Sequence, residues 1–173
     1  MAGIYIRQAK ERDLVAIMQI IGEAKQLLKQ EGSPQWQDGH PNEEVLIADI
    51  ASGCCYVLIC GKRIAGTATL LEEKEKNYAK IEAGSWLNEN TPYTTIHRIA
   101  ISAEYRGRQL GQYFFSNLIS LSVSKGFSQV RIDTHELNVR MQHYIKKFDF
   151  SYRGIIYVTP DENGKRLAYE WNG

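Results

Sequence analysis

The stretch TTIHRIAISAEYRGRQLGQYFFSNLISLSVSKG, Thr94 to Gly126, changes its hydrophobic period once, and that change decides the fold. In its first part Ile96, Ile99 and Ile101 are grouped around Arg98, with His97 among them, in the near-alternation of a β-strand. From Leu110 onward the period lengthens. Leu110, Phe114, Leu118 and Leu121 recur at the spacing of one helical face, and Gly126 stands where a helix can close on left-handed backbone. Between the two parts lie Arg106, Gly107, Arg108, Gln109, Leu110 and Gly111. A strand that feeds a helix through so short a turn leaves backbone N–H groups unpaired at the helix N-terminus. There, together with the helix dipole, they favour an anion. Two arginines add full charges, so the stretch predicts a phosphate or pyrophosphate cradle.

Working outward, Gln129 to Asp133 reads as the next strand, and Asn138 precedes a helix on which Met141, Tyr144, Ile145 and Phe148 share a face. Strands around Ile155–Val158 and Leu167–Trp171 follow, joined by a turn at Asp161 to Gly164. Upstream, Ile4 and Ile6 mark an opening strand, and Leu14, Ile17, Ile21, Ala24 and Leu28 trace a helix ending near Gly32. The loop GSPQWQDGHPNEE carries Trp36, and a second helix holds Val45, Leu46, Asp49 and Ile50. Cys54–Cys60 and Ile64–Leu71 form a hairpin through Gly61, Lys62 and Arg63. The EEKEKN run reads as a solvated connection and Tyr78 to Glu82 as a short strand. The central β-α-β unit demands a crossover helix, whereas the hairpins demand antiparallel neighbours. The expected fold is therefore α/β, with a central mixed, mostly antiparallel sheet flanked by helices. With 173 residues and no Pro- or Gly-rich linker, residues 1–173 are expected to form a single domain.

A formal net charge of +1 supplies no global field for nucleic acid or an anionic membrane, so neither is expected as a partner. Cys54, Cys55 and Cys60 lie in one strand-like run without further ligands at metal spacing, which predicts buried thiols in a reducing compartment and no metal site. The N-terminus lacks a long apolar segment, and CCYVLIC is too short to span a bilayer. A soluble cytoplasmic protein is the expectation.

Spacing eliminates two phosphate-binding motifs. A P-loop needs Lys and a hydroxyl residue directly after its last glycine, but Gln112 and Tyr113 follow Gly111. A dinucleotide fingerprint needs GxGxxG, which Gly107 and Gly111 do not supply. The run HRIAISAEYRGRQLG, its long helix, RIDTHELN and the Asn-led helix together resemble the GCN5-related N-acetyltransferase (GNAT) family. The family's R/Q-x-x-G-x-G/A signature maps onto Arg106 to Gly111, with Gln109 where the pattern has Gly. The opening IYIRQAKERDL, the central hairpin and the closing hairpin extend the resemblance over nearly the whole chain. It implies a GNAT-like single domain with a β-loop-α site for acetyl-CoA as co-substrate. Arg106, Gly107, Arg108, Gln109, Leu110 and Gly111 would hold the pyrophosphate, backbone groups of Ile99 and Ile101 the pantetheine arm, and Asn138 its amide.

Transfer to an amine carries its own requirement, because an ammonium of pKa about 10.4 must lose a proton before it attacks a thioester. His97, on the strand beside the expected thioester, and Glu82, on the neighbouring short strand, are candidate bases, with His135 a third. Family members often place a Tyr acid seven residues after the helix-leading Asn. Here that position is Ile145, and Tyr144 is one residue earlier, a candidate acid that could equally be a core aromatic. Trp36 could line an acceptor pocket or plug the core. The implied activity is acetyl transfer to the primary amine of a small molecule or peptide. A non-catalytic acetyl-CoA sensor and a transferase using another acyl-CoA are the alternatives.

Overall fold

The computed structural model describes residues 2–173, whose strands form one seven-stranded sheet. In chain order the elements are β1 (Ile4–Gln8), α1 (Leu14–Gln30), α2 (Glu43–Ala51), β2 (Cys55–Cys60), β3 (Arg63–Leu71), β4 (Thr94–Ile101), α3 (Leu110–Ser124), β5 (Gln129–Thr134), α4 (Val139–Lys147), β6 (Ser151–Tyr157) and β7 (Lys165–Asn172). Across the sheet the order is β1-β2-β3-β4-β5-β7-β6, and β4 with β5 is the parallel pair in an otherwise antiparallel array. This is the mixed, mostly antiparallel sheet that the alternation of periods implies.

Helices cover both faces. On one, Ile17, Ile20 and Ile21 of α1 and Leu46 of α2 pack on Val57, Ile59 and Ala100. On the other, Phe114, Phe115 and Leu118 of α3 and Ile145 of α4 pack on Leu58, Leu70, Ile96, Val130 and Ile132. Side chains of this size each stabilise the fold by about 1.5–3 kcal/mol when fully buried. α3 ends as its sequence predicts: Gly126 takes φ +91°, and the amides of Gly126 and Phe127 donate to the carbonyls of Val123 and Ser122.

One expected strand is absent. Tyr78 ends a single 3-10 turn at Lys76–Tyr78, and Glu82 makes an isolated bridge to Ile155. The segment is held by side chains instead. Tyr78, Trp86 and Tyr93 pack over Ile156 and Ala168 on the far half of the sheet. The guanidinium of Arg131 lies between Trp86 and Tyr93, 4.0 and 3.8 Å from their ring centres, and pairs with the buried Glu170 on β7 at 3.1 Å.

β4 also departs from simple alternation. Thr67 pairs with Ala100 and Thr69 with His97, so β4 holds one extra residue between these points. Arg98 lies in that bulge at φ +51°, in left-handed backbone. Its Nε and Nη2 donate to the two carboxylate oxygens of Asp49 at 2.7 and 2.9 Å, and the Thr69 hydroxyl donates to the same carboxylate at 2.6 Å. The extra residue explains why Ile96, Ile99 and Ile101, spaced three and then two apart, reach the same core.

Candidate active site

Only the first residues of β4 and β5 pair, Thr94 with Val130 and Thr95 with Arg131. Beyond them the strands part, and among the described residues the backbone edge of β4 that faces β5 has no strand partner through Ile99 and Ile101. A cleft of about 970 Å³ opens there. Its walls include His97, Ile99 and Ile101 from β4, Asp133 and Thr134 from β5, and the start of α3. Such a gap accommodates an elongated ligand that supplies its own amide partners to the strand edge.

At one end stands the loop before α3. Gly107 and Gln109 both take left-handed backbone, at φ +77° and +57°. Gln109 thus occupies a position whose geometry favours Gly, which is what the family signature has there. Among the described residues, no backbone carbonyl accepts from the amides of Gly107, Gln109, Leu110 or Gly111. These amides, at the N-terminus of a 15-residue helix, can hold an anion. Arg106 lines the cleft with its Nη2 donating to the Glu23 carbonyl at 3.0 Å. Glu23 also accepts from the Ala103 amide, which ties α1 to the loop. Arg108 does not line the cleft; it is exposed and lies over the Tyr105 ring at 5.4 Å.

His97 faces the cleft and its Nε2 lies 2.8 Å from the Glu75 carboxylate. That hydrogen bond is the main reason the Glu75 carboxyl titrates below its ordinary value, against the opposing effect of burial. Glu75 is itself fixed, because its backbone amide donates to the Tyr93 hydroxyl and its carboxylate accepts from the Asn77 amide. The carboxylate thereby fixes the orientation of the imidazole beside the cleft.

Tyr144 also lines the cleft, its ring stacked on Phe115 with centres 5.9 Å apart, whereas Ile145 is fully buried in the core. The ring tip of Tyr144 crosses directly over Gly111, where an added Cβ would come within 2.7 Å of Cζ. Its hydroxyl end is therefore carried to the N-terminal end of α3. Asn138 caps α4 through Oδ1, which accepts from the Met141 amide, and its Nδ2 meets Gln35 at 3.4 Å. His135 braces the turn into α4 by accepting the Leu137 amide on Nδ1, and burial lowers its basicity. Trp36 lines the cleft and also packs against the α1 side of the core. Glu82 lies elsewhere. It is exposed, 3.4 Å from Lys80, and does not reach the cleft, because its segment forms one bridge to β6 in place of a strand beside β4. The carboxylate that does meet His97 at the cleft is Glu75, in the charged EEKEKN run.

A parted parallel strand pair, an anion-ready loop at a helix N-terminus and the hydrogen-bonded His97–Glu75 pair thus meet at one cleft. The sequence pattern of the acetyltransferase (GNAT) family matches residues 21–150, and this chain belongs to that family. Among solved structures, a GNAT-family acetyltransferase from Streptococcus agalactiae is 39% identical, with a TM-score of 0.90 over 99% of this chain and 96% of that one. A Staphylococcus aureus protein assigned as an acetyltransferase is 27% identical, with a TM-score of 0.72 over 96% and 97% of the two chains. The protein yncA from Salmonella typhimurium, solved with its cofactor acetyl-CoA, shares the fold at 13% identity and a TM-score of 0.69, over 98% of this chain and 93% of that one. A comparison with the curated proteins finds no match. Among the described residues no helix is long and apolar enough to cross a membrane.

Proposed function

We propose that this chain moves an acetyl group from acetyl-CoA to a primary amine by direct attack of the amine. The observation that carries this reading is the joining of three features in one cleft: free loop amides, an unpaired strand edge and the His97–Glu75 pair. The amides of Gly107, Gln109, Leu110 and Gly111 would hold the pyrophosphate, with Arg106 beside them, and the β4 edge at Ile99 and Ile101 would pair with the pantetheine amides. Acetyl-CoA supplies the acetyl thioester. His97, oriented by Glu75, accepts the proton that the attacking amine must lose. Tyr144, whose ring crosses over Gly111, would donate a proton to the departing sulfur, and the N-terminus of α3 favours negative charge there.

The test is a thiol-release assay with acetyl-CoA and a panel of amines. The expected result is acceptor-dependent release that falls at least about 100-fold in His97→Ala, the scale of a lost general base. If acetyl-CoA raises the melting temperature but no amine accelerates release above hydrolysis, the chain is a binding protein and the transfer reading fails.

A further inference from the structure

One charged side chain in the cleft has no part in the reading above. Arg166, at the start of β7, is only 6% exposed, yet it lines the cleft. Its Nη1 donates to the carbonyls of Asn163 and Lys165 at 2.7 and 2.9 Å, which fixes the plane of the guanidinium. Among the described residues, Nε and Nη2 have no hydrogen-bond partner and no carboxylate forms a salt bridge with Arg166, and neither atom is sealed from solvent. A buried arginine anchored on one side with its Nε–Nη2 edge free presents the parallel donor pair that matches a carboxylate.

The carboxylates nearby are committed elsewhere. Asp133 accepts from the Tyr78 hydroxyl at 2.7 Å, and Asp161 accepts from the Thr159 hydroxyl and the Gly164 amide. Asp38 accepts from the His40 amide. They leave the surroundings of Arg166 favourable to an ammonium as well. Asp133 pairs with Ala168 across the β5–β7 ladder, so Arg166, two residues from Ala168, lies on the same sheet face as Asp133. Tyr78, which links Asp133 to this face, has its ring 6.3 Å from that of His97. The wall therefore runs from the proton-accepting pair, past a carboxylate, to a fixed free guanidinium.

We infer that the acceptor is a small amino-carboxylate, such as a free amino acid, whose carboxylate seats on the Nε–Nη2 edge of Arg166 while its amine lies toward His97 and Asp133. This rests on the transfer reading above and adds the substrate class. In the acetylation step the neutral amine nitrogen forms the new N–C bond and gives one proton to His97, the C–S bond breaks, and the departing thiolate takes a proton from Tyr144, which solvent then restores. The carboxylate stays unchanged.

The test compares matched pairs that differ only by the carboxylate: lysine with cadaverine, ornithine with putrescine, histidine with histamine. At saturating acetyl-CoA, kcat/KM should favour the amino acid by about 10- to 100-fold, the scale of a charge-assisted bidentate contact. Arg166→Gln should abolish that preference chiefly through KM, changing the decarboxylated amines less than about threefold. Arg166→Lys should restore only part of it, since a point charge lacks the fork. Equal or better turnover of the decarboxylated amines by the wild-type chain overturns the inference while leaving the transfer reading intact, and it needs no variant to fold. Calorimetric binding of the same compounds to the enzyme with CoA separates the converse case. Binding of amino acids that depends on Arg166, with no turnover of any amine, keeps the carboxylate site and overturns the transfer reading. Absence of both overturns both.

Discussion

Asp49→Asn is the sharpest test of how the cleft is held open. Asp49 accepts two bonds from Arg98 and one from Thr69, and the two charged side chains are only 9% and 21% exposed. Asparagine keeps the shape, but its single carbonyl oxygen can face only one arm of the guanidinium, and its NH2 group then opposes the other. The arginine is left with its charge mostly buried and unpaired. Removing one member of such a pair costs about 3–5 kcal/mol, a large share of the total for a domain of this size. At about 2–4 °C per kcal/mol, the melting temperature should fall by about 6–20 °C. Because Arg98 occupies the bulge that sets His97 and Ile99 in place, thiol release should also fall at a temperature where the variant remains folded. A double-mutant cycle with Arg98→Met, read by urea denaturation, should return a coupling of at least about 1 kcal/mol. A melting temperature within about 2 °C of wild type, or a coupling near zero, would refute the claim that this pair holds the bulge.

Three further outcomes follow from the same geometry. Glu75→Gln removes the charge behind His97 and should lower kcat by about 10- to 100-fold with KM for acetyl-CoA little changed, as lost charge-assisted bonds of about 1.5–3 kcal/mol require; a wild-type kcat would show that Glu75 does not act through His97. Gly111→Ala should destabilise the chain by about 1–2 kcal/mol through the clash with the Tyr144 ring, and Tyr144→Ala in the same chain should relieve that clash, as denaturation midpoints will report. The carboxyls of Asp13 and Glu75 are both held below their ordinary values, by hydrogen bonds from Arg7 and His97 respectively. A carboxyl depressed on folding contributes stability above its unfolded pKa that is lost as pH falls through its folded pKa. Thermal stability should therefore decline as pH drops below about 4 to 4.5, and the decline should be smaller in Asp13→Asn.

The strand-loop-helix unit is legible in the sequence because a change of hydrophobic period and a glycine stop are local signals, and the structure keeps both. The bulge is not legible. An arginine between isoleucines reads as an ordinary strand position, and only the distant Asp49 and Thr69 reveal why the strand must gain a residue there. Glu75 was hidden for the opposite reason. Within EEKEKN its composition says solvated surface, whereas Tyr93, 18 residues on, anchors its backbone and His97, 22 residues on, takes its carboxylate. Counting seven residues from Asn138 led to Ile145. On the actual helix Ile145 points to the core, and the neighbouring position, about 100° around the axis, carries the aromatic ring into the cleft. Arg166 gave no sequence signal at all, since a basic residue opening a strand is ordinary until the β5–β7 ladder sets it beside Asp133.

The aromatic sandwich around Arg131 has a consequence for assembly. Glu170 on β7 steadies Arg131, Arg131 lies against Tyr93, the Tyr93 hydroxyl takes the Glu75 amide, and Glu75 orients His97. The His97–Glu75 pair therefore depends, through three links, on a strand far along the chain. Undocking β7 removes Glu170 from this series of contacts and takes Tyr169 out of the core beneath α3 at the same time. The alignment of Glu75 with His97 therefore reports the completion of the sheet and of the core that β7 shares with α3.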